Sequence, residues 1–264
     1  MSLFRVSLKM TTLVLVTAAS AFVAAAARAI CLGRLRPSAW AGSRTCSAWS
    51  KMACRILGVR RNVRGRPEGA SFLVAANHLT YLDIWVLGSL YPSVFVAKRE
   101  IARWPVFGWV ARAAGTLFVD RDAARDVVRV GKLMGDRLAA GVPLTVFPEG
   151  GTSRGDLVRP FVSSILEPAA RIGAPCYSAS IGYETPGVVD PPSRTICWSG
   201  GRPPFLRHLI GVMKLRRIEA TVIFSAVPVR SSDRKELARR LWEETQRTFV
   251  PIRQGPFPAP GCAP

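Results

Sequence analysis

The first 67 residues contain no acidic residue, although 12 of the 37 lysines and arginines lie there. All 17 acidic residues follow, beginning at Glu68, within a chain whose formal net charge is +20. A cationic segment of this kind favours an anionic partner, either nucleic acid or a lipid surface. Zinc-finger spacing, an aromatic RNA-binding signature and a basic zipper are all missing, so we expect no nucleic-acid partner. An anionic membrane surface is favoured.

Paired cysteines and metal-ligand spacings are also missing. The six cysteines are scattered along the chain at Cys31, Cys46, Cys54, Cys176, Cys197 and Cys262. In a chain of 264 residues this pattern is typical of small buried hydrophobic side chains rather than of a disulfide framework. It indicates a reducing compartment and predicts no metal site. With the basic segment, it places the protein on the cytoplasmic face of the inner or plasma membrane.

One uncharged run, Met10 to Ala27, stands near the N-terminus between Lys9 and Arg28. It is at the short end of the length that crosses about 30 Å of hydrocarbon. A membrane anchor or re-entrant helix is favoured, while a signal peptide and a plain core helix remain alternatives.

Residues 47–57 carry apolar side chains at helical spacing with a basic opposite face. This stripe either packs on the domain core or lies in the membrane interface. We therefore predict a membrane-docking segment over residues 1–58, ending near an Arg60–Pro67 loop. A domain over 59–250 follows, and residues 251–264, rich in proline, predict an unstructured tail.

Strand-like and helix-like stretches alternate after this segment, which predicts an α/β fold with a mixed, largely parallel sheet flanked by helices. The predicted strands are Ile56–Val63, Ser71–Ala76, Val94–Ala97, Thr116–Val119, Val142–Phe147, Cys176–Ile181, Thr195–Trp198 and Ile218–Phe224. The predicted helices are Leu82–Leu90, Pro105–Ala114, Asp122–Ala140, Phe205–Leu215 and Asp233–Phe249. Active sites of such sheets form at the carboxyl ends of strands.

Two motifs follow predicted strands directly. Asn77-His78 comes after Ser71–Ala76, and Asp83 lies five residues beyond the histidine. The carboxylate can hold one ring nitrogen while the other accepts a hydroxyl proton, which is a base and its orienting group without a protein nucleophile. A histidine and an aspartate that merely pin a loop are the structural alternative.

The second motif, PEGGTSRG over Pro148–Gly155, follows Val142–Phe147. Its glycines expose backbone N–H groups, and Arg154 adds a cationic fork for an anionic head group. A glycine-rich turn with a solvated arginine is the alternative.

In this order the motifs resemble the glycerolipid acyltransferase family, whose first block has Asn-His, four residues and Asp. Further similar blocks are GTLFVDR at Gly115–Arg121, FVAKRE at Phe95–Glu100 and the FPEG of Phe147–Gly150. The resemblance covers residues 71–250. It implies that an acyl chain passes from acyl-CoA or acyl carrier protein to a lysolipid hydroxyl, without a cofactor or metal.

The resemblance also implies roles for individual residues. His78 would deprotonate the acceptor and Asp83 would orient the imidazole. Arg121, Glu149 and Gly150 would shape the acceptor pocket, with Arg121 suited to a phosphate. Lys98 and Arg154 are further substrate-binding candidates.

Two departures concern the acceptor. The family has Thr-Arg after the glycine that corresponds to Gly150, whereas this chain has Gly151-Thr152, and Ser178 stands where the family carries a strand proline. The expected acceptor is 1-acylglycerol-3-phosphate, in phospholipid biosynthesis, and a lyso-aminolipid is the alternative.

Two other functions remain open from the sequence. Gly151–Gly155 fits the G-x-S-x-G elbow of a serine hydrolase, with Ser153, Asp190 and His208 in the required chain order. Against it, no helix is predicted directly after Ser153, and His208 is expected on a basic helix face. The other function is a non-catalytic membrane-binding protein that keeps the fold. The His78 and Asp83 pair argues against that alternative.

Overall fold

A computed structural model describes residues 3–30, 35–104, 107–120, 123–200 and 203–252. Two long helices come first, α1 (Leu3–Ile30) and α2 (Leu35–Leu57). Strands and helices then alternate. The strands are β1 (Val59–Arg64), β2 (Leu73–Ala76), β3 (Val94–Lys98), β4 (Leu117–Val119), β5 (Leu144–Val146), β6 (Cys176–Glu184) and β7 (Ile218–Phe224). The later helices are α3 (Leu82–Leu90), α4 (Phe107–Ala113), α5 (Ala124–Ala139), α6 (Glu167–Arg171), α7 (Pro192–Thr195), α8 (Phe205–Lys214) and α9 (Arg234–Thr248), with short 3-10 helices at Arg99–Arg103 and Ser163–Leu166.

The strands form one seven-stranded sheet in the order β1-β7-β6-β2-β5-β3-β4. Every neighbouring pair is parallel except β6 and β7. β2 lies at the centre, and all four of its residues are buried because both faces of the sheet are covered. The predicted α/β class with a mixed, largely parallel sheet is confirmed.

Helices cover both faces of this sheet, and each face has its own hydrophobic core. Val74 and Ala76 of β2 pack in the first core together with residues of α2, α3 and α8. Leu73 and Ala75 point to the other side and pack with residues of α5, α6 and α9. The alternation along a single strand therefore divides the two cores, as the pleat of a strand requires.

The predicted N-terminal helices are present, and both are longer than the apolar runs that indicated them. α1 is long and apolar enough over Leu3–Ala27 to cross a membrane, judged by length and composition alone. Large apolar side chains on α1 are exposed, namely Leu3, Phe4, Leu8, Val14, Leu15, Phe22, Val23 and Ile30. α1 thus presents an apolar outer face, while Lys9 donates hydrogen bonds to the carbonyl oxygens of Leu57, Met213 and Leu215.

The apolar stripe of residues 47–57 packs in the core of the protein. Trp49 is buried, donates its indole N–H to Thr17 Oγ1 of α1 at 2.9 Å, and lies edge-on against Trp85 of α3. Ala53 and Leu57 are fully buried. Most of the stripe therefore packs in the first core, as the core-packing alternative expects, while Met52 remains 43% exposed.

Three local predictions need correction. Ile56 and Leu57 belong to α2 rather than to a strand, and Gly58, at φ 78°, ends the helix. The predicted Arg60–Pro67 loop is instead mostly β1, which pairs in parallel with β7. The predicted strand Thr195–Trp198 is wrong, because Pro192 begins a short helix that reaches Thr195.

The predicted tail lies mainly outside the described residues. Its described beginning is bound to the domain, since Ile252 is buried and donates its backbone N–H to Gly155 at 2.7 Å.

Candidate active site

The two sequence motifs meet because β2 and β5 are parallel neighbours in the sheet. Parallel strands end at the same edge, so the loops that follow them lie side by side. The backbone N–H of Ser153 donates to the carbonyl of His78 at 2.8 Å. The backbone N–H of His78 in turn donates to Glu149 Oε1 at 2.7 Å.

His78 and Asp83 form the predicted pair. His78 Nδ1 lies 2.7 Å from Asp83 Oδ2, and Asp83 is fully buried in the first turn of α3. The same carboxylate oxygen accepts the backbone N–H groups of Leu79 at 2.6 Å and Thr80 at 3.0 Å. A carboxylate held in this way fixes the orientation of the imidazole and leaves Nε2 for a proton from a substrate.

The imidazole is also fixed on its face. The ring of His78 stacks on Phe147 with centroids 4.0 Å apart and an angle of 14° between the planes. Asn77, the preceding residue, is fully buried and forms two hydrogen bonds with Ile181 of β6, at 2.7 and 3.0 Å. The loop that carries His78 is therefore held by β6 and by Phe147, the residue that follows β5.

Glu149 holds the second loop against the first. One carboxylate oxygen accepts the N–H of His78, and the other accepts the backbone N–H and the Nε of Arg159 at 3.1 and 3.4 Å. Arg159 also donates to the carbonyl of Gly151 at 2.6 Å. Burial raises the pKa of Glu149, while these hydrogen bonds oppose the shift. The side chain of Glu149 thus organises the backbone around the site.

A cavity of about 520 Å³ opens at His78. Its walls are mainly apolar and come from the N-terminal helices, from α3, from the β3 region, from α4, and from the loop after Phe147. α1 contributes Ser20, Ala21 and Ala24 to this wall. Such a space suits a hydrocarbon chain whose reacting end lies at His78.

Of the remaining predicted binding residues, some line this cavity and others do not. Lys98, at the end of β3, and Gly150, at φ 81°, line it. Arg154 is exposed and lies outside the described cavity wall. Arg121 lies outside the described residues. Ser178 is buried within β6, where its N–H donates to Ser225 Oγ.

The serine-hydrolase triad does not form. Ser153 Oγ is buried without a hydrogen-bond partner in the part of the chain that the structure describes, and no helix directly follows it. Asp190 is largely exposed beside Arg194. His208 is buried rather than on a basic helix face, and its Nδ1 is 3.0 Å from the hydroxyl of Tyr81. Burial lowers the pKa of His208 to about 4.

The contacts of two residues around the pair were not predicted from the sequence. Tyr183 donates its hydroxyl to Asp83 Oδ1 at 2.7 Å across 100 residues of sequence. Trp198 donates its backbone N–H to Leu79, and its carbonyl accepts the hydroxyl of Thr152 at 2.6 Å. The available signal was a polar side chain at the end of a strand next to β2, which applies to Tyr183 but not to Trp198.

The site defines a class of protein, namely an α/β enzyme with an oriented base, an apolar cavity and no serine nucleophile aligned among the described residues. Within those residues no cluster of three or more His, Cys, Asp or Glu side chains is placed to hold a metal ion. The arrangement can activate a hydroxyl that a substrate brings.

Comparisons with known proteins agree with this class. A family model described as Acyltransferase matches residues 60–182. The chain is 32% identical over 193 residues to the lyso-ornithine lipid O-acyltransferase of Pseudomonas aeruginosa, covering 73% of each chain. It is 34% identical over 196 residues to the 1-acyl-sn-glycerol-3-phosphate acyltransferase of Neisseria gonorrhoeae, covering 74% of each. The crystal structure of the Thermotoga maritima 1-acyl-sn-glycerophosphate acyltransferase superposes with a TM-score of 0.60 at 21% identity, over 91% of this chain and 96% of that one.

The chain belongs to the acyltransferase family that contains these 1-acyl-sn-glycerol-3-phosphate and lyso-ornithine lipid acyltransferases. It is an acyltransferase of the lysolipid class.

Proposed function

We propose that this enzyme transfers a fatty acyl chain from a thioester to the hydroxyl of a lysolipid, with His78 as the general base. The observation that carries the proposal is the His78–Asp83 pair, in which a buried carboxylate binds Nδ1 while the ring lines an apolar cavity. The hydroxyl proton passes to Nε2 of His78 as the acceptor oxygen bonds to the thioester carbonyl carbon. When the C–S bond breaks, the departing thiolate takes that proton, so that His78 ends the cycle neutral.

The acyl donor in this proposal is acyl-CoA or acyl carrier protein. A thioester is already activated, so the reaction requires no cofactor beyond the donor itself. The apolar cavity is suited to a fatty acyl group, and Lys98 in its wall is suited to bind an anionic group on one of the two substrates.

The proposed acceptor is 1-acylglycerol-3-phosphate, with Lys98, Arg154 and Arg121 as candidates for its phosphate. A second acceptor, a lyso-aminolipid such as lyso-ornithine lipid, is favoured by one observation. This chain has Gly151-Thr152 where the family carries Thr-Arg, so the family's arginine, a group suited to a phosphate, is missing at this position. The Thr152 hydroxyl is instead bound to the Trp198 carbonyl. Relatives named for both acceptors match the chain at similar identity.

The first experiment supplies purified protein in detergent with labelled acyl-CoA, or acyl carrier protein, and a panel of lysolipids. His78→Ala should lower kcat by about 10²–10⁴-fold, because it removes the general base. The control is His208→Gln, which changes the only other histidine of the chain and should still transfer acyl groups. A folded His78→Ala protein with full activity would refute the mechanism, and the best acceptor in the panel identifies the substrate.

We also propose that α1 docks the enzyme on an anionic membrane at its cytoplasmic face. The exposed apolar side chains of α1 supply the hydrophobic part of this contact, and the basic N-terminal segment supplies the electrostatic part. The cavity then opens beside the helix that touches lipid, since Ala21 and Ala24 of α1 line it.

Phe22→Glu should weaken binding to vesicles of phosphatidylethanolamine and phosphatidylglycerol by about tenfold, because it places a charge on the apolar face of α1. Cosedimentation with the vesicles measures the change. Val128→Glu is the control, since Val128 is as exposed as Phe22 but lies on α5. Equal loss of binding in both variants would show that α1 is not the docking surface.

A further inference from the structure

The buried carboxylate of Asp83 has one partner that the proposed mechanism does not use. Its Oδ2 atom is occupied by His78 and by two backbone N–H groups, whereas Oδ1 accepts the hydroxyl of Tyr183 at 2.7 Å. Tyr183 lies on β6 and is only 4% exposed. Both oxygens of the carboxylate are therefore held, each by a different part of the fold.

The sheet brings Tyr183 to this position. β6 pairs with β2 up to Ala179 opposite Ala76 and then continues to Glu184, beyond the point where β2 ends. The two hydrogen bonds between Asn77 and Ile181 fix this extension beside the His78 loop. Tyr183 lies two residues further on the same side of the strand. Its hydroxyl thus reaches Asp83 from the sheet side.

The Tyr183 hydroxyl is a permanent donor. Burial, together with the negative charge of Asp83, raises the pKa of Tyr183 well above its ordinary value. A donor on Oδ1 prevents rotation of the carboxylate and withdraws negative charge from it. The strength of this bond therefore influences both the orientation of the imidazole and its readiness to give up a proton.

We propose that Tyr183 is a positioning residue for acyl transfer, acting through Asp83 on His78. This proposal rests on the proposed role of His78 as the base. It adds a third member to the pair, contributed by the strand next to β2.

The test is Tyr183→Phe, which keeps the ring and removes the hydroxyl. We expect kcat to fall by roughly tenfold with KM unchanged, since a hydrogen bond to a charged group is lost away from the substrate. Tyr177→Phe is the matched control, because Tyr177 is an equally buried tyrosine of the same strand that packs against Phe72. It should keep the wild-type kcat.

Two further readouts separate positioning from a purely structural role. In Tyr183→Phe, Oδ1 of Asp83 has lost its donor, so the carboxylate keeps more negative charge and holds a proton on the His78 imidazole more strongly. The acidic limb of the kcat/KM profile should therefore move to higher pH by about half a unit. In an Asp83→Asn background the Tyr183→Phe change should cost no further activity, because the path through the carboxylate is already lost.

A folded Tyr183→Phe enzyme with wild-type kcat and an unmoved acidic limb would overturn the proposal. If that variant fails to fold, 3-fluorotyrosine at position 183 replaces it. That side chain is a stronger donor and should move the limb to lower pH, and an unmoved limb would again overturn the proposal. Full activity of His78→Ala would refute the proposed function itself, whereas an inactive His78→Ala beside a normal Tyr183→Phe would refute only the role of Tyr183.

Discussion

Asp83→Asn is expected to lower kcat by about 10³–10⁴-fold while the protein remains folded. An amide has nearly the shape of the carboxylate and can still accept the N–H groups of Leu79 and Thr80, but it carries no charge. Without that charge, the imidazolium that forms when the acceptor is deprotonated loses its stabilising partner. Steady-state kinetics with the best acceptor measure the loss, and circular dichroism checks the fold.

The control for this substitution is Asp126→Asn. Asp126 also accepts a backbone N–H, that of Asp120, at 2.7 Å, but it lies outside the cavity wall. Its replacement should leave kcat within about twofold, because its partners Asp120 and Arg129 lie outside the cavity wall as well. An Asp83→Asn enzyme that keeps more than a tenth of the activity would mean that the carboxylate charge does not support the base.

Glu149→Gln is expected to reduce the free energy of unfolding by about 1–3 kcal/mol and kcat by roughly 10²-fold. The carboxylate accepts three N–H groups, from His78 and Arg159, and an amide NH₂ would face at least one of them. The His78 loop then loses its fixed position against the second loop. Urea unfolding and steady-state kinetics measure the two effects, and KM for the lysolipid should not change.

Glu167→Gln is the matched control, because Glu167 is a partly exposed carboxylate in ion pairs with Arg171 and Arg234. It should cost less than about 1 kcal/mol. If Glu149→Gln instead raises KM with kcat unchanged, Glu149 binds the acceptor directly rather than holding the loop.

The sequence was sufficient where structure depends on short stretches. β7 and α3 have the bounds that the sequence predicts, because each is a short, mainly apolar segment between polar or turn-forming residues. The His78–Asp83 contact was also predictable, since five residues of chain at a helix start bring the two side chains together. The meeting of the two motifs followed from the rule that active sites form at the carboxyl ends of parallel strands.

The misses have a common physical cause, which is packing between distant segments. Trp198 is part of an apolar stretch that resembles a strand, yet its backbone bonds join the loops at Leu79 and Thr152. The stripe of residues 47–57 could cover either a membrane or a core, and only the positions of α1 and α3 decide between them. The bond from Tyr183 to Asp83 depends on strand order, which one sequence does not reveal.

The bonds of Asn77 and Asp83 to β6 have a consequence for biosynthesis. Synthesis proceeds from the N-terminus, so His78 and Asp83 leave the ribosome about a hundred residues before Ile181 and Tyr183. β1 can pair only after β7 has been synthesised, which is later still, because β7 is its partner in the sheet. Contacts between such distant segments form late and slow the folding of a domain. The loop that carries His78 can therefore bind Phe147 and Glu149 early, but it gains its contacts with β6 only after Tyr183 has been synthesised.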